Sequence, residues 1–385
     1  MGILLVGATM LLSAMSDAGA GQSVRFAAFN IKELSADKLG QTDAEGRGIC
    51  PQLRRAAEII QRTRPDVLLI NEIDFDIETR ANATLFAERY LRVSQNGQEP
   101  IDYAHVFFEP VNTGVPTGMD LSNDGSTDGP DDAYGFGRYP GQYGMALFSR
   151  FPIDAVGVRT FGRLLWKDMP GNLMPDGQEG KPAWYSPEEA AVFRLSSKSH
   201  WDVPLRIGAK TVHVICAHPT PPIFDGPEDR NGRRTFDEIR LLADYVQGGE
   251  RASYIVDDLG KRGALGSEAL FVVLGDMNAE PVKDEALYGR TAISQLLELA
   301  RVQDAAPVHM GRRPGEREAA PDWAQTKTCH FGRIDYVLPS VEMKVVGAGV
   351  FWPAEGDPLG HLVAGPEASS DHRLVWVDVL LPANP

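Results

Sequence analysis

Val67-Leu68-Leu69-Ile70-Asn71-Glu72 is a run of four apolar residues closed by an amide and a carboxylate. An apolar run this short reads as a strand covered on both faces. The closing glutamate is the informative residue. A charge at the end of a buried strand is costly unless it is paired or bound to a metal. A plain surface residue following a strand is the alternative reading.

The same plan recurs along the chain. Val24 to Phe29, Met145 to Ser149, Val212 to Cys216 and Phe271 to Leu274 read as strands, as do Tyr336-Val337-Leu338, Lys344 to Phe351 and Leu374 to Leu381. The last alternates in part through Val375, Val377 and Val379, the mark of a half-buried strand. Pro51 to Thr63 predicts a helix, with proline in the first turn and Leu53, Ala57 and Ile60 on one face. Phe236, Ile239, Ala243 and Val246 predict a second helix over Arg234 to Gln247. Strands mixed with helices throughout define one α/β domain. Three long loops, Glu109–Gln142, Trp166–Pro187 and Pro219–Arg233, are the segments in which function is expected.

The bulk composition of the 385 residues is that of a globular chain, 43% hydrophobic and 24% charged. No stretch reaches the roughly 20 apolar residues of a membrane span. Ile3 to Met15 is a shorter apolar run followed by Ala18-Gly19-Ala20, the pattern of an export leader with its cleavage site. A basic residue before the run is missing. The expected organisation is a leader over 1–20 and a single domain over 21–385, in a secreted or periplasmic protein. Net charge is −15, and the leader carries one of these charges, Asp17, which leaves −14 on the rest. Nucleic-acid affinity rests largely on Lys and Arg at phosphates, so a chain this acidic is a poor generic DNA binder. The three cysteines are Cys50, Cys216 and Cys329. They allow at most one bridge, with Cys50–Cys329 the candidate and Cys216 in the core. A monomer is expected.

Good metal or phosphate ligands sit at the ends of the apolar strands. Asn30 follows the first strand, Glu72 the second, His218 the Val214–Ala217 run, and Asp276 and Asn278 the Val272–Gly275 run. Asp335 precedes Tyr336, and Asp371 and His372 precede Leu374. Strand ends can bring distant residues to one rim of a sheet.

Seven segments occur in order: F-N-I (29–31), P-D-V-L-L-I-N-E (65–72), Y-G-M-A-L-F-S-R (143–150), A-H-P (217–219), G-D-M-N-A-E-P (275–281), R-I-D-Y-V-L (333–338) and S-D-H (370–372). Together they resemble the endonuclease/exonuclease/phosphatase superfamily of deoxyribonuclease-like metal-dependent phosphoesterases. The resemblance runs from Val24 to Leu381. It implies a four-layer α/β/β/α sandwich, two packed mixed sheets flanked by helices. It also implies a hydrolase using Mg²⁺ or Mn²⁺, with Asn30, Glu72 and Asp371 as metal ligands.

The remaining roles follow from residue type and resemblance together. Asp276 and Asn278 lie two apart, so an extended segment projects them to one side. One can orient or deprotonate water while the other binds a phosphate oxygen; an Asx turn is the alternative. His372 with Asp335 looks like a histidine held by a carboxylate, able to activate water or donate to the phosphate. His218 resembles the deoxyribonuclease histidine that stabilises the transition state or protonates the leaving oxygen. Tyr143 resembles a phosphate-contacting tyrosine, with core packing as its rival. Lys32 departs from relatives that carry an acidic residue near Asn30. Arg230, Asn231 and Arg234, just after His218, are candidates for substrate phosphate, or else the solvated start of a helix.

One further motif stands apart. Asp120, Ser122, Asp124, Ser126, Asp128 and Asp131 occupy positions 1, 3, 5, 7, 9 and 12 of a loop with Gly125 at position 6. That is the spacing of a calcium loop, although position 12 carries Asp and no flanking helices are evident. The expected activity is hydrolysis of a small phosphate ester. An extracellular nuclease is the second reading, and an inactive binding module on the same fold a third. A sphingomyelinase-like lipase would need exposed aromatics, for which Trp166 and Phe351-Trp352 are the candidates.

Overall fold

A computed structural model describes residues 23–175, 182–282, 289–309 and 325–383. The expected leader, 1–20, lies outside these residues. Among the described residues, eleven strands form two sheets. The first six-stranded sheet contains β1 (Ser23–Leu34), β2 (Val67–Ile73), β3 (His105–Phe107), β4 (Gly144–Ser149), β10 (Lys344–Val350) and β11 (Val375–Leu380), in the order β10-β11-β1-β2-β4-β3. The second contains β5 (Arg159–Thr160), β6 (Trp201–Ile207), β7 (Lys210–Cys216), β8 (Leu270–Asp276) and β9 (Asp335–Pro339), in that order. Both sheets are mixed: β1 runs parallel to β2, and β7 to β8, while the other pairs are antiparallel.

Side-chain alternation along each strand builds the layers. In β1, Val24, Phe26 and Ala28 enter the core between the sheets, where they meet Val203, Val214 and Val272. Ala27, Phe29 and Ile31 enter a second core beneath the helix Pro51–Thr63, with Leu53, Ala56 and Ile60. On the far side, Ile215, Phe271, Val273 and Tyr336 pack against Phe236, Ile239 and Leu242 of the helix Arg230–Gln247. The result is the expected order helix, sheet, sheet, helix.

The first helix has the expected bounds, and the second begins four residues earlier than its apolar pattern does. The strand β6 escapes the sequence reading because Asp202 and Pro204 interrupt it. Pro204 is tolerated because its missing N–H faces the bridging segment 152–154, where the Asp154 N–H donates to the Pro204 carbonyl at 2.9 Å and the Asp154 carbonyl takes the Gly157 N–H instead. The three cysteines are buried and free, so the Cys50–Cys329 bridge does not form. Trp166 and Phe351 are buried in the cores, which removes two of the aromatics a lipase surface would need. No helix among the described residues is long and apolar enough to cross a membrane.

Candidate active site

The C-terminal ends of β1, β2, β7 and β8 and the starts of β9 and β11 gather at one rim. Local irregularity there aims the side chains. The β2–β4 register advances from Asn71↔Met145 to Ile73↔Gly144, so Glu72 is the extra residue of a bulge. It sits in the left-handed region at φ 66°, as Tyr143 does at 58° and Asn278 at 50°. Strained backbone of this kind concentrates at functional sites. Gly275 allows the close approach of β8 to β7, since a Cβ there would lie 2.0 Å from the Ala217 carbonyl oxygen.

Asp276 is the hub. Its Oδ1 accepts the Asn278 backbone N–H at 2.9 Å, and its Oδ2 accepts Asn30 Nδ2 at 3.0 Å. The same Oδ2 lies 3.5 Å from His218 Nε2 and 3.8 Å from His372 Nε2. His372 Nδ1 donates to Asp335 Oδ2 at 2.9 Å. Asn30 Nδ2 also donates to Glu72 Oε1 at 3.0 Å, and Glu72 Oε2 accepts the Glu33 backbone N–H at 3.0 Å. The two carboxylate acceptors fix the orientation of the Asn30 amide. They leave its Oδ1 buried without a hydrogen-bond partner among the described residues.

Burial and charge set the protonation states. Burial, reinforced by the Asp335 charge and opposed by His372, pushes the Asp276 carboxyl up to about 7. Burial works against a charged His372, but Asp335 and Asp276 outweigh it and hold the imidazole well above the usual histidine range. His218 is driven the other way, well below that range, by burial and by the charges of Lys198 and His372. It is a neutral imidazole, and its buried Nδ1 has no hydrogen-bond partner among the described residues.

Two groupings compete as a metal site. Ligand atoms of Asp276, Asp335 and His372 lie within 4.8 Å of one another. However, a charged His372 hydrogen-bonded to Asp335 has no lone pair for a metal. Glu72 with the unspent oxygen of Asn30 is the better match, because a hard cation takes oxygen donors and keeps several waters. Asp371 stands apart, since Lys32 Nζ contacts its Oδ2 at 2.9 Å. Burial raises its carboxyl, but Lys32 and His372 outweigh that and lower it. Its carboxylate is answered by a lysine.

Tyr143 lies beside this cluster. Its backbone N–H hydrogen-bonds Asp74, and burial together with the charges of Glu33 and Glu72 raises its hydroxyl. Arg230, Asn231 and Arg234 are committed locally. They belong to the helix Arg230–Gln247 rather than to a loop. Arg230 pairs with Glu228 and lies over the Trp184 ring, and Asn231 Nδ2 donates to the Ile223 carbonyl at 2.8 Å. Arg234 is buried and donates to the carbonyls of Leu195, Tyr134 and Arg194, which corrects the phosphate role expected of it. In the acidic loop, Asp120 accepts the amides of Asp124 and Gly125, Asp124 accepts that of Ser126, and Ser126 Oγ accepts that of Asp128. These are Asx and Ser turns that hold the loop by itself. Asp131 lies within the electrostatic reach of Arg230.

Three further buried polar residues complete the site, and the sequence marks them only weakly. Asn71 bridges the sheets, donating to the Ala217 carbonyl at 3.3 Å and accepting the Asp276 N–H at 3.2 Å. Glu238, fully buried, accepts the Ser197 and Thr220 amides at 2.8 and 2.6 Å. Lys198 is the third. An amide inside the Val67–Ile73 strand and a glutamate on the apolar face of a helix were the available signals. Lys198 carries no such signal, since it lies in the run Ser196-Ser197-Lys198-Ser199 outside any apolar pattern.

The model of the Endonuclease/Exonuclease/phosphatase family matches residues 27–372. The chain belongs to that family. Among solved structures, an endonuclease/exonuclease/phosphatase from Beutenbergia cavernae is 17% identical with a TM-score of 0.50, over 93% of this chain and 72% of that one. The human Nocturnin catalytic domain is 16% identical at a TM-score of 0.47, over 93% of both chains. Truncated Caenorhabditis elegans TDP2 is 13% identical at 0.45, over 93% of this chain and 97% of that one. No curated protein matches the chain in sequence.

Proposed function

We propose that this chain is a divalent-metal-dependent hydrolase of small phosphate esters, and that water attacks phosphorus in line. The observation that carries the reading is Asp276 Oδ2, which faces two imidazole Nε2 atoms at 3.5 and 3.8 Å, one of them backed by Asp335. Asp276, raised to about 7, can accept the proton of the attacking water near neutral pH. His372, held charged by Asp335, offers a cation to the phosphoryl oxygens as their charge grows. His218 Nε2, on a neutral imidazole, lies beside the same carboxylate oxygen and can hold the attacking water or an ester oxygen against it. Asn278 spends one amide hydrogen on the Pro219 carbonyl at 3.0 Å and keeps a second for substrate. Glu72 and Asn30 would hold Mg²⁺ or Mn²⁺, which supplies Lewis-acid polarisation and a template for the ester.

The net charge of −15 supports a small ester over a nucleic acid, since a polyanion binds best to a basic surface. The apolar run Ile3–Met15 with Ala18-Gly19-Ala20 supports export, so the assay uses protein from residue 21 onward. Rates on bis-p-nitrophenyl phosphate, p-nitrophenyl phosphate and plasmid DNA are compared in Mg²⁺, Mn²⁺, Ca²⁺ and chelator. Metal-dependent turnover that is lost in His372→Ala supports the hydrolase, and preferred cleavage of DNA transfers the reading to a nuclease. Absence of turnover across all metals and substrates favours the binding module.

A further inference from the structure

Lys198 is 5% exposed, and its ammonium has one hydrogen bond among the described residues, to the Pro219 carbonyl at 3.3 Å. An ammonium carries three donors, so two are unspent. It makes no ion pair with a carboxylate among the described residues. Glu238, Glu72 and Asp276 nonetheless surround it closely enough for their charges to act on it, and its own charge acts on His218. The carbonyl it contacts is the one that Asn278 Nδ2 also contacts. A buried cation with spare donors is costly unless something anionic completes its shell. Glu238 fastens the segment in place: it binds the amides of Ser197, before Lys198, and of Thr220, after Pro219.

We propose that Lys198 is a phosphate ligand, its ammonium donating to a non-bridging oxygen of the phosphoryl group, so that the site binds an anion even without a divalent ion. The inference rests on the phosphoesterase reading for its choice of anion. It adds a cation supplied by the chain itself to whatever charge a metal brings. Burial pulls the Lys198 ammonium below the usual lysine range, against the opposing charges of Glu238, Glu72 and Asp276. Binding a phosphate oxygen would complete its hydrogen bonding and favour the charged form.

The test is binding of inorganic phosphate to the full chain in excess chelator, followed by calorimetry and by the phosphate-induced rise in melting temperature. Wild type and Lys344→Met, an exposed control on β10, should bind alike. Lys198→Met should bind roughly 10- to 100-fold more weakly, the effect of one charge-assisted hydrogen bond. If Lys198→Met does not fold, Lys198→Gln serves as the neutral variant and carries the same expectation. Wild-type affinity in the neutral variant, or no phosphate binding by wild type in chelator, overturns the proposal. Because no turnover is measured, the outcome is separate from that of the hydrolase assay. Lysine-dependent binding in a chain that hydrolyses nothing would leave this site standing and remove the catalytic reading.

Discussion

His372 Nδ1 and Asp335 Oδ2 meet at 2.9 Å although they stand at the starts of strands in different sheets. Asp335 opens β9 in the second sheet, and His372 precedes β11 in the first. The pair therefore depends on the packing of the two sheets, and it forms where their ends converge. Removing either partner is expected to lower kcat/KM roughly a hundred- to ten-thousand-fold, the usual range for a positioned proton-transfer or charge-stabilising group. Steady-state rates of His372→Ala and Asp335→Asn, beside their melting temperatures, check this. Activity within threefold of wild type in both variants would remove the pair from the chemistry.

Asp276 gives a pH dependence. Its carboxyl is raised to about 7 by burial, so the proton-accepting form is lost as pH falls below that value. Activity should rise with pH through about 7, and Asp276→Asn should abolish both the activity and this limb. Stability should run the opposite way. A folded value above the unfolded one of about 3.9 favours the protonated native state. Metal-free protein should thus lose stability as pH rises from about 4 through 7. Thermal melts of wild type and Asp276→Asn across this range check the sign, and a wild-type slope unchanged in the variant would count against it.

Asn30 should govern metal affinity. Its Nδ2 orients both Glu72 and Asp276, and its Oδ1 is buried and unspent. Asn30→Ala leaves two carboxylates facing one another without the bridging amide. We expect Mn²⁺ affinity to fall roughly 10- to 100-fold, the effect of losing a group that orients a ligand. Calorimetric titration with Mn²⁺ reads this without any substrate. Affinity equal to wild type would place the metal elsewhere.

Arg333, two residues before Asp335, anchors the strand that carries it. The guanidinium is 2% exposed and contacts the Asp304 carboxylate at 2.7 and 2.6 Å. Replacing Asp304 by Asn leaves a buried cation unanswered, at a cost of about 3 to 5 kcal/mol at neutral pH. Burial raises the Asp304 carboxyl, but Arg333 outweighs it and lowers it below the usual carboxylate range. Its contribution is therefore present above the unfolded value of about 3.9 and lost as pH falls through the folded one. Denaturant melts at pH 7 and pH 3 should show a difference between wild type and Asp304→Asn that shrinks in acid.

The fold was legible where burial is dictated by short apolar runs. Val67–Ile70 and Phe271–Leu274 are strands that hide four consecutive apolar side chains each, and Val212–Cys216 keeps the pattern on either side of His213. The strand Trp201–Ile207 was not legible, because Asp202 and Pro204 break its pattern, and only tertiary contacts make them tolerable: His213 and Tyr245 on Asp202, and Gly157 on the Asp154 carbonyl opposite Pro204. Of the two readings open for Arg234, phosphate ligand or start of a helix, tertiary contacts favour the helix. An arginine following a catalytic-looking histidine resembles a phosphate ligand until three backbone carbonyls are seen to take its donors.

The sequence by itself determined the residue types at the strand ends: Asn30, Glu72, His218, Asp276, Asn278, Asp335 and His372. Chain connectivity alone requires each of them to follow or precede its strand. Only the tertiary structure decided which of these touch. The bulge at Glu72, the pairing of Asp371 with Lys32, the bridge of Asn71 and the burial of Lys198 all arise from contacts between segments tens to hundreds of residues apart. Such contacts depend on how two twisted sheets meet, and no local pattern of side chains encodes that meeting.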